Sequence, residues 1–159
     1  MTEIIKGILP VDRERIREIL KSTGFFYDFE IETALELADE TLVKGSEKSG
    51  YYWIKVSEDG VTQAFATFGK NAFSTHSWDL YWIAVHNDYR NKKLGSFLLK
   101  VIEDNVRAMG GRILWIETSG RPLYAPTEAF YIRNGYSLQA SLKDFYGPGD
   151  PRQIYSKEL

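Results

Sequence analysis

The run from Trp78 to Thr118 limits the architecture more than any other part of this chain. An apolar segment, Trp78–Val85, leads through a polar loop into a stretch with helical spacing. There Leu94, Phe97, Leu98, Val101, Ile102, Val106 and Met109 share one side, with Lys100, Glu103, Asp104 and Arg107 opposite. Gly110-Gly111 stops that helix, and Arg112–Thr118 is again almost wholly apolar. Two strands with a helix between them are predicted to run parallel, because antiparallel neighbours need only a short turn. A nearly continuous apolar strand fits burial on both faces, so helices must cover the sheet.

The rest of the chain supplies the other elements. Thr2 to Ile8 reads as a strand that Pro10 ends, and Asp12 is expected to cap a helix carrying Ile16, Ile19 and Leu20 as far as Gly24. A second helix is predicted over Glu30 to Lys44, buried through Ile31, Ala34, Leu35, Ala38 and Leu42, with Glu32, Glu36, Asp39 and Glu40 on a solvated side. Gly50 to Val56 and Val61 to Phe68 are rich in aromatic and β-branched residues. The Asp59-Gly60 pair between them predicts a hairpin. A short helix is expected from Pro126 to Asn134-Gly135. Two last strands, Tyr136 to Leu142 and Gln153 to Lys157, flank a loop from Asp144 to Asp150. The predicted class is α/β (α+β): a mixed, mostly antiparallel sheet of six or seven strands flanked by helices, in one domain spanning 1–159.

Composition narrows the function. A formal charge of -2 and a pI near 5.8 exclude a general nucleic-acid or anionic-membrane binder, which would carry a broad excess of Lys and Arg. With no cysteine there is no disulfide, thiolate metal site or cysteine nucleophile, and His76 and His86 alone make a poor metal set. The N-terminal residues lack the pattern of a signal peptide and no apolar run is long enough to span a bilayer, so the expectation is a cytoplasmic protein.

The basic residues Arg90, Lys92 and Lys93 stand immediately before the long helix. A helix start presents backbone N–H groups without internal acceptors at the positive end of the dipole, where acidic side chains are the usual neighbours. Cations there make sense if an anion docks, and Gly95 and Ser96 keep the first turn slim enough for a phosphate to approach. Neither the Gly-x-x-x-x-Gly-Lys-[Ser/Thr] loop nor a Gly-x-Gly-x-x-Gly after a strand is present.

The stretch "VHNDYRNKKLGSFLL" resembles the acyl-CoA loop of the GNAT superfamily of N-acetyltransferases, Arg/Gln-x-x-Gly-x-Gly/Ala after an apolar strand. "TEAFYIRNGYSL" resembles that family's Ala-x-x-Phe-Tyr-x-x-x-Gly-Phe segment. Lys93 stands where the first loop glycine is usual, and it is expected to be already helical, lying beside the pyrophosphate. The resemblance implies acetyl-CoA as co-substrate, no metal, and an amine acceptor from a small molecule or peptide attacking directly in a ternary complex. It implies further that the backbone of Ile83, Ala84 and Val85 pairs with the pantetheine arm. Arg90, Asn91, Lys92, Lys93, Leu94, Gly95 and Ser96 would hold the pyrophosphate, and the parallel strands would splay at the cofactor site. Tyr124 stands where many relatives carry a cofactor-contacting asparagine. Neither nucleic acid nor membrane is an expected partner, and a homodimer is left open.

The chemistry needs a neutral amine, whereas a free alkylamine has a pKa of about 10.4, so a base must take its proton. Asp79, six residues before Val85, falls where the histone-acetylating branch keeps its general base. Glu117 is the rival, at the end of an apolar strand whose neighbours would raise a buried carboxylate. Tyr131 matches the tyrosine that protonates the leaving thiolate, with Phe130 beside it as the core aromatic. The alternative reading is a non-catalytic acyl-CoA-binding or sensing module.

Overall fold

The computed structural model describes all residues 1–159. Seven strands form one sheet: β1 (Thr2–Lys6), β2 (Tyr52–Glu58), β3 (Val61–Lys70), β4 (Ser77–Val85), β5 (Ile113–Ser119), β6 (Ser137–Gly147) and β7 (Asp150–Glu158). Their order is β1-β2-β3-β4-β5-β7-β6. The helices are α1 (Asp12–Thr23), α2 (Asp28–Ser49), α3 (Leu94–Ala108) and α4 (Ala125–Arg133). The β1-β2, β2-β3, β5-β7 and β6-β7 pairs are antiparallel, and β4-β5 is parallel as the strand-helix-strand order requires. The parallel ladder runs only from Ser77/Ile113 to Leu80/Ile116.

The chain divides into two compact units, Met1–Gly69 with Tyr81–Asp104, and Lys70–Leu80 with Asn105–Leu159. The core of the first joins Ile16, Ile19 and Leu20 of α1 to Ile31, Ala34, Leu35 and Ala38 of α2, against Trp53, Phe65 and Ala84 of the sheet. Trp53 donates its indole N–H to Thr41 Oγ1 at 2.9 Å, which satisfies the one polar atom that this buried ring carries. Asp12 departs from the cap expected of it. Val11 holds the N-cap position, while the Asp12 carboxylate is buried and accepts from Leu9 N–H at 2.7 Å and from Lys55 Nζ at 2.8 Å. Lys55 is likewise buried on β2, and pairing with it draws the Asp12 carboxylate inward.

α2 starts earlier and ends later than its apolar repeat. Glu30 turns back to accept from Tyr27 N–H at 2.9 Å, closing the first turn, and Gly45, at φ 82 and ψ 167, breaks the helix before it resumes to Ser49. Its acidic side is tied down as well as solvated. Asp39 takes a two-pronged contact from Arg13 at 2.6 and 3.0 Å, and Glu32 binds Arg17 through one nitrogen, so one guanidinium fork and one single ion pair cross-link α1 and α2.

In the second unit Gly111 lies against Trp78 and Val106, where a Cβ would come within 2.6 Å of the indole and 2.3 Å of the valine. On α3 the buried stripe is shifted from the expected one. Leu98, Leu99, Ile102, Glu103 and Val106 are buried, whereas Phe97 and Met109 are each 42% exposed. The expected loop at Asp144–Asp150 is mostly strand: β6 continues to Gly147, and only Pro148-Gly149 turn the chain. Proline followed by glycine at φ 74 is the composition of a type II turn, and a left-handed Asp144 absorbs the register shift.

Candidate active site

In the first unit the end of β4 delivers the chain into the basic loop. His86 donates its backbone N–H to Gln63 O at 2.8 Å on β3. Strand alternation then turns the N–H groups of Ile83 and Val85 away from β3, as a strand-like ligand on that side would need. Asn87–Tyr89 form one 3₁₀ turn, fixed by Asp88 N–H on His86 Nδ1 (3.1 Å) and Asn87 N–H on Ser22 Oγ (3.0 Å). Two left-handed residues follow, Asn91 at φ 63 and Lys93 at φ 60.

Lys93 is therefore not helical, contrary to the expectation. It adopts the conformation of the glycine it replaces, at a cost of about 1–2 kcal/mol for an L-residue. The first bond of α3 runs from Phe97 N–H to Lys93 C=O at 3.0 Å. The N–H groups of Leu94 and Gly95, ahead of that bond, have no acceptor within the helix. Left-handed residues in a turn just before a helix start can aim backbone N–H groups into an anion-binding concavity. The cations are less pooled than the sequence suggests. Arg90 donates to Thr23 O at 3.3 Å and lies 5.7 Å from the Phe25 ring, and Lys92 sits 5.4 Å from the Tyr89 ring.

In the second unit the two candidate bases share a face of adjacent strands. Asp79 is in register with Trp115, and Glu117 stands two residues farther along β5. Their environments differ. Burial pushes the Asp79 carboxyl above the ordinary carboxylate range, a hydrogen bond from Asn71 Nδ2 (3.1 Å) opposes that, and the charge of Glu117 adds to it. Glu117 is not the buried carboxylate that its apolar strand led us to expect. Its side chain is 46% exposed and ion-paired with Arg152, whose guanidinium lies 4.7 Å from the Phe145 ring. Strand β5 loses its apolar cover at that end, and β7 presents a cation there.

Tyr131 is buried, its ring centroid 5.3 Å from Phe130 and 6.0 Å from both Tyr136 and Tyr155. Burial above all, with Tyr155 adding to it, lifts the phenol well above its ordinary value, so it stays protonated at any working pH. Tyr155 is pushed up to about 12 by burial and by the nearby Glu128, although its hydroxyl makes no well-formed hydrogen bond. Phe130, expected to be the core aromatic of the pair, is only half-buried, and Tyr131 is the more buried of the two. Tyr124 ends a 3₁₀ turn at Pro122–Tyr124, buried under the Arg121 guanidinium at 5.3 Å. Asn71 and Arg152 were invisible to sequence reasoning. Asparagine is a common turn residue, but nothing tied Asn71 to Asp79, and nothing linked Arg152 to a carboxylate 35 residues earlier.

A family model described as Acetyltransferase (GNAT) family matches residues 13–136. No curated protein sequence matches the chain. Among solved structures, a proposed GNAT acetyltransferase from Desulfovibrio desulfuricans is 40% identical, with a TM-score of 0.96 over 99% of each chain. The ribosomal-protein-S18-alanine N-acetyltransferase of Escherichia coli is 20% identical, with a TM-score of 0.77 over 100% of this chain and 94% of that one. A proposed acetyltransferase from Salmonella typhimurium, solved with acetyl-CoA, is 18% identical, with a TM-score of 0.73 over 99% and 94%.

Proposed function

Because the chain belongs to the GNAT family of acetyltransferases, we propose that it moves an acetyl group from acetyl-CoA to a primary amine of a small molecule or peptide, by direct attack in a ternary complex. The observation that carries this reading is the turn before α3. Left-handed Asn91 and Lys93 lead into a helix start where the N–H groups of Leu94 and Gly95 lack helical acceptors, a fit for a pyrophosphate. The acetyl-CoA held by the Salmonella relative supports the same choice of donor. We read residues 1–159 as one such domain, acting in the cytoplasm; no helix is long and apolar enough to cross a membrane.

When bound, acetyl-CoA supplies a thioester carbonyl open to attack by a neutral amine. The chain's own groups then have separate tasks. Arg90 to Ser96 hold the diphosphate, the backbone of Ile83, Ala84 and Val85 pairs with the pantetheine arm, and Tyr124 contributes a cofactor contact. Asp79 takes the amine's proton, directly or through water. Its raised affinity for a proton suits a base better than Glu117, whose charge Arg152 already engages. Tyr131, protonated throughout, gives its phenolic proton to the departing sulfur. Each proton lost by the amine is matched by one gained at the thiol, so the cycle closes once Asp79 and Tyr131 re-equilibrate with solvent.

The test couples binding to turnover. CoA should raise the melting temperature by mass action on the native state. Gly95→Asp should abolish that shift while leaving the fold intact, since an acidic residue in a first helical turn is itself favourable. Thiol release from acetyl-CoA with a panel of amines, amino acids, polyamines and peptides then identifies the acceptor. An unchanged CoA shift in folded Gly95→Asp removes the anion site. Tight CoA binding with no turnover on the whole panel leaves a sensing module instead.

A further inference from the structure

The β3-β4 connection carries a side chain with no part in the roles above. Asn71 follows β3 directly, and four contacts fix it. Its N–H is donated to Ser77 O at 3.0 Å, its C=O accepts from Ser74 N–H at 3.2 Å, its Oδ1 accepts from Phe73 N–H at 2.9 Å, and its Nδ2 reaches Asp79 Oδ2 at 3.1 Å. The contact to Phe73 N–H requires an oxygen at that end of the amide, so the end facing Asp79 is the NH₂. The loop thus aims a neutral donor at the carboxylate.

We propose that Asn71 is a positioning residue, holding the Asp79 carboxylate in one orientation and ready to accept a proton, while Arg152 occupies Glu117. The inference rests on the reading of Asp79 as the base. A half-buried carboxylate next to another carboxylate tends to stay protonated, and a protonated carboxylic acid cannot serve as a base. Asn71 counters that tendency without a full positive charge, which would make Asp79 too weak a base. Among charged neighbours Glu117 on β5 acts on Asp79, and Arg152 on β7 balances Glu117. His76, on the same loop, bonds instead to Thr75.

Substitutions at Asn71 separate this role from loop building. Asn71→Asp keeps an oxygen for Phe73 N–H and replaces the donor facing Asp79 with a second carboxylate. Asn71→Ala removes both contacts. In protein labelled with carboxyl-¹³C aspartate, the Asp79 resonance is the one lost in Asp79→Asn. Its titration midpoint should move to higher pH in Asn71→Ala and farther in Asn71→Asp, because two adjacent carboxylates share one proton. With the accepted amine, the acid limb of kcat/KM should move the same way. On the acid limb, below both midpoints, the loss should be roughly tenfold, the worth of a hydrogen bond to a charged group, with the alkaline plateau retained. Should Asn71→Ala fail to fold, Asn71→Asp alone decides. An unmoved Asp79 titration in folded variants overturns the inference even if Asp79→Asn is inactive. Wild-type turnover in Asp79→Asn would instead remove Asp79 as the base, and the catalytic part of the inference with it.

Discussion

Lys93 shows how one residue can satisfy a motif by conformation while breaking it by identity. The loop needs a left-handed residue before α3, and the chain holds lysine there at φ 60. Lys93→Gly should therefore stabilise the fold by about 0.5–1 kcal/mol, the relief of the left-handed cost less the extra chain entropy of glycine. The melting temperature should rise by about 1–4 °C, read by calorimetry. Tyr131→Phe tests a different kind of residue. It deletes a hydroxyl from a packed ring, so folding and CoA binding should persist while turnover drops by about 10²–10⁴-fold; steady-state rates at wild-type level would refute the acid role. Tyr131 and Asp79 were legible as candidates because the first sits inside a short motif and the second at a fixed count before another. Asn71 and Arg152 were not, because a hydrogen bond across a loop and an ion pair between strands leave no periodic trace.

Among the elements, local rules succeeded where one segment decides its own conformation. The parallel β4-β5 pair followed from strand, helix and strand in sequence, and the Asp59-Gly60 hairpin from its turn residues. The failures came where a partner element intervened. Lys55 on β2 drew Asp12 away from capping α1, and pairing with β7 extended β6 through residues that read as a loop. Likewise Glu103, charged and on the predicted outer side of α3, is buried, since burial on a helix depends on what packs beside it. The join between α2 and β3 offers a direct test at this scale. Gly50 caps α2 with its carbonyl against Gly69, where a Cβ would stand 2.1 Å from that oxygen. Backbone cannot yield as a flexible side chain can. Gly69→Ala should cost about 2–3 kcal/mol, seen as a lower denaturant midpoint at unchanged slope.

For the molecule as a whole, the base proposed for the reaction is also a source of instability, and pH exposes both. Burial and the charge of Glu117 raise the Asp79 carboxyl in the folded state above its unfolded value, despite Asn71. Between the unfolded and the folded pKa the native state then binds more protons than the unfolded one, so stability falls as pH climbs through that window. Below the window Asp79 is protonated in both states and costs nothing. Above it, the native state carries the whole penalty of a half-buried anion. Asp79→Asn removes the anion and keeps an acceptor for Asn71, so it should melt higher than wild type at pH 7 and match it near pH 3. Activity should move oppositely. The wild-type rate should fall as acid titrates Asp79, at a higher pH than an ordinary aspartate would give, and Asp79→Asn should lose most turnover at neutral pH. Part should return as alkaline pH deprotonates the amine unaided. Melting curves and kcat/KM against pH for the two proteins check both halves. A variant equally stable at pH 7 would mean that Asp79 is not strained by its surroundings, and wild-type rates in the more stable variant would mean that the strain serves something other than catalysis.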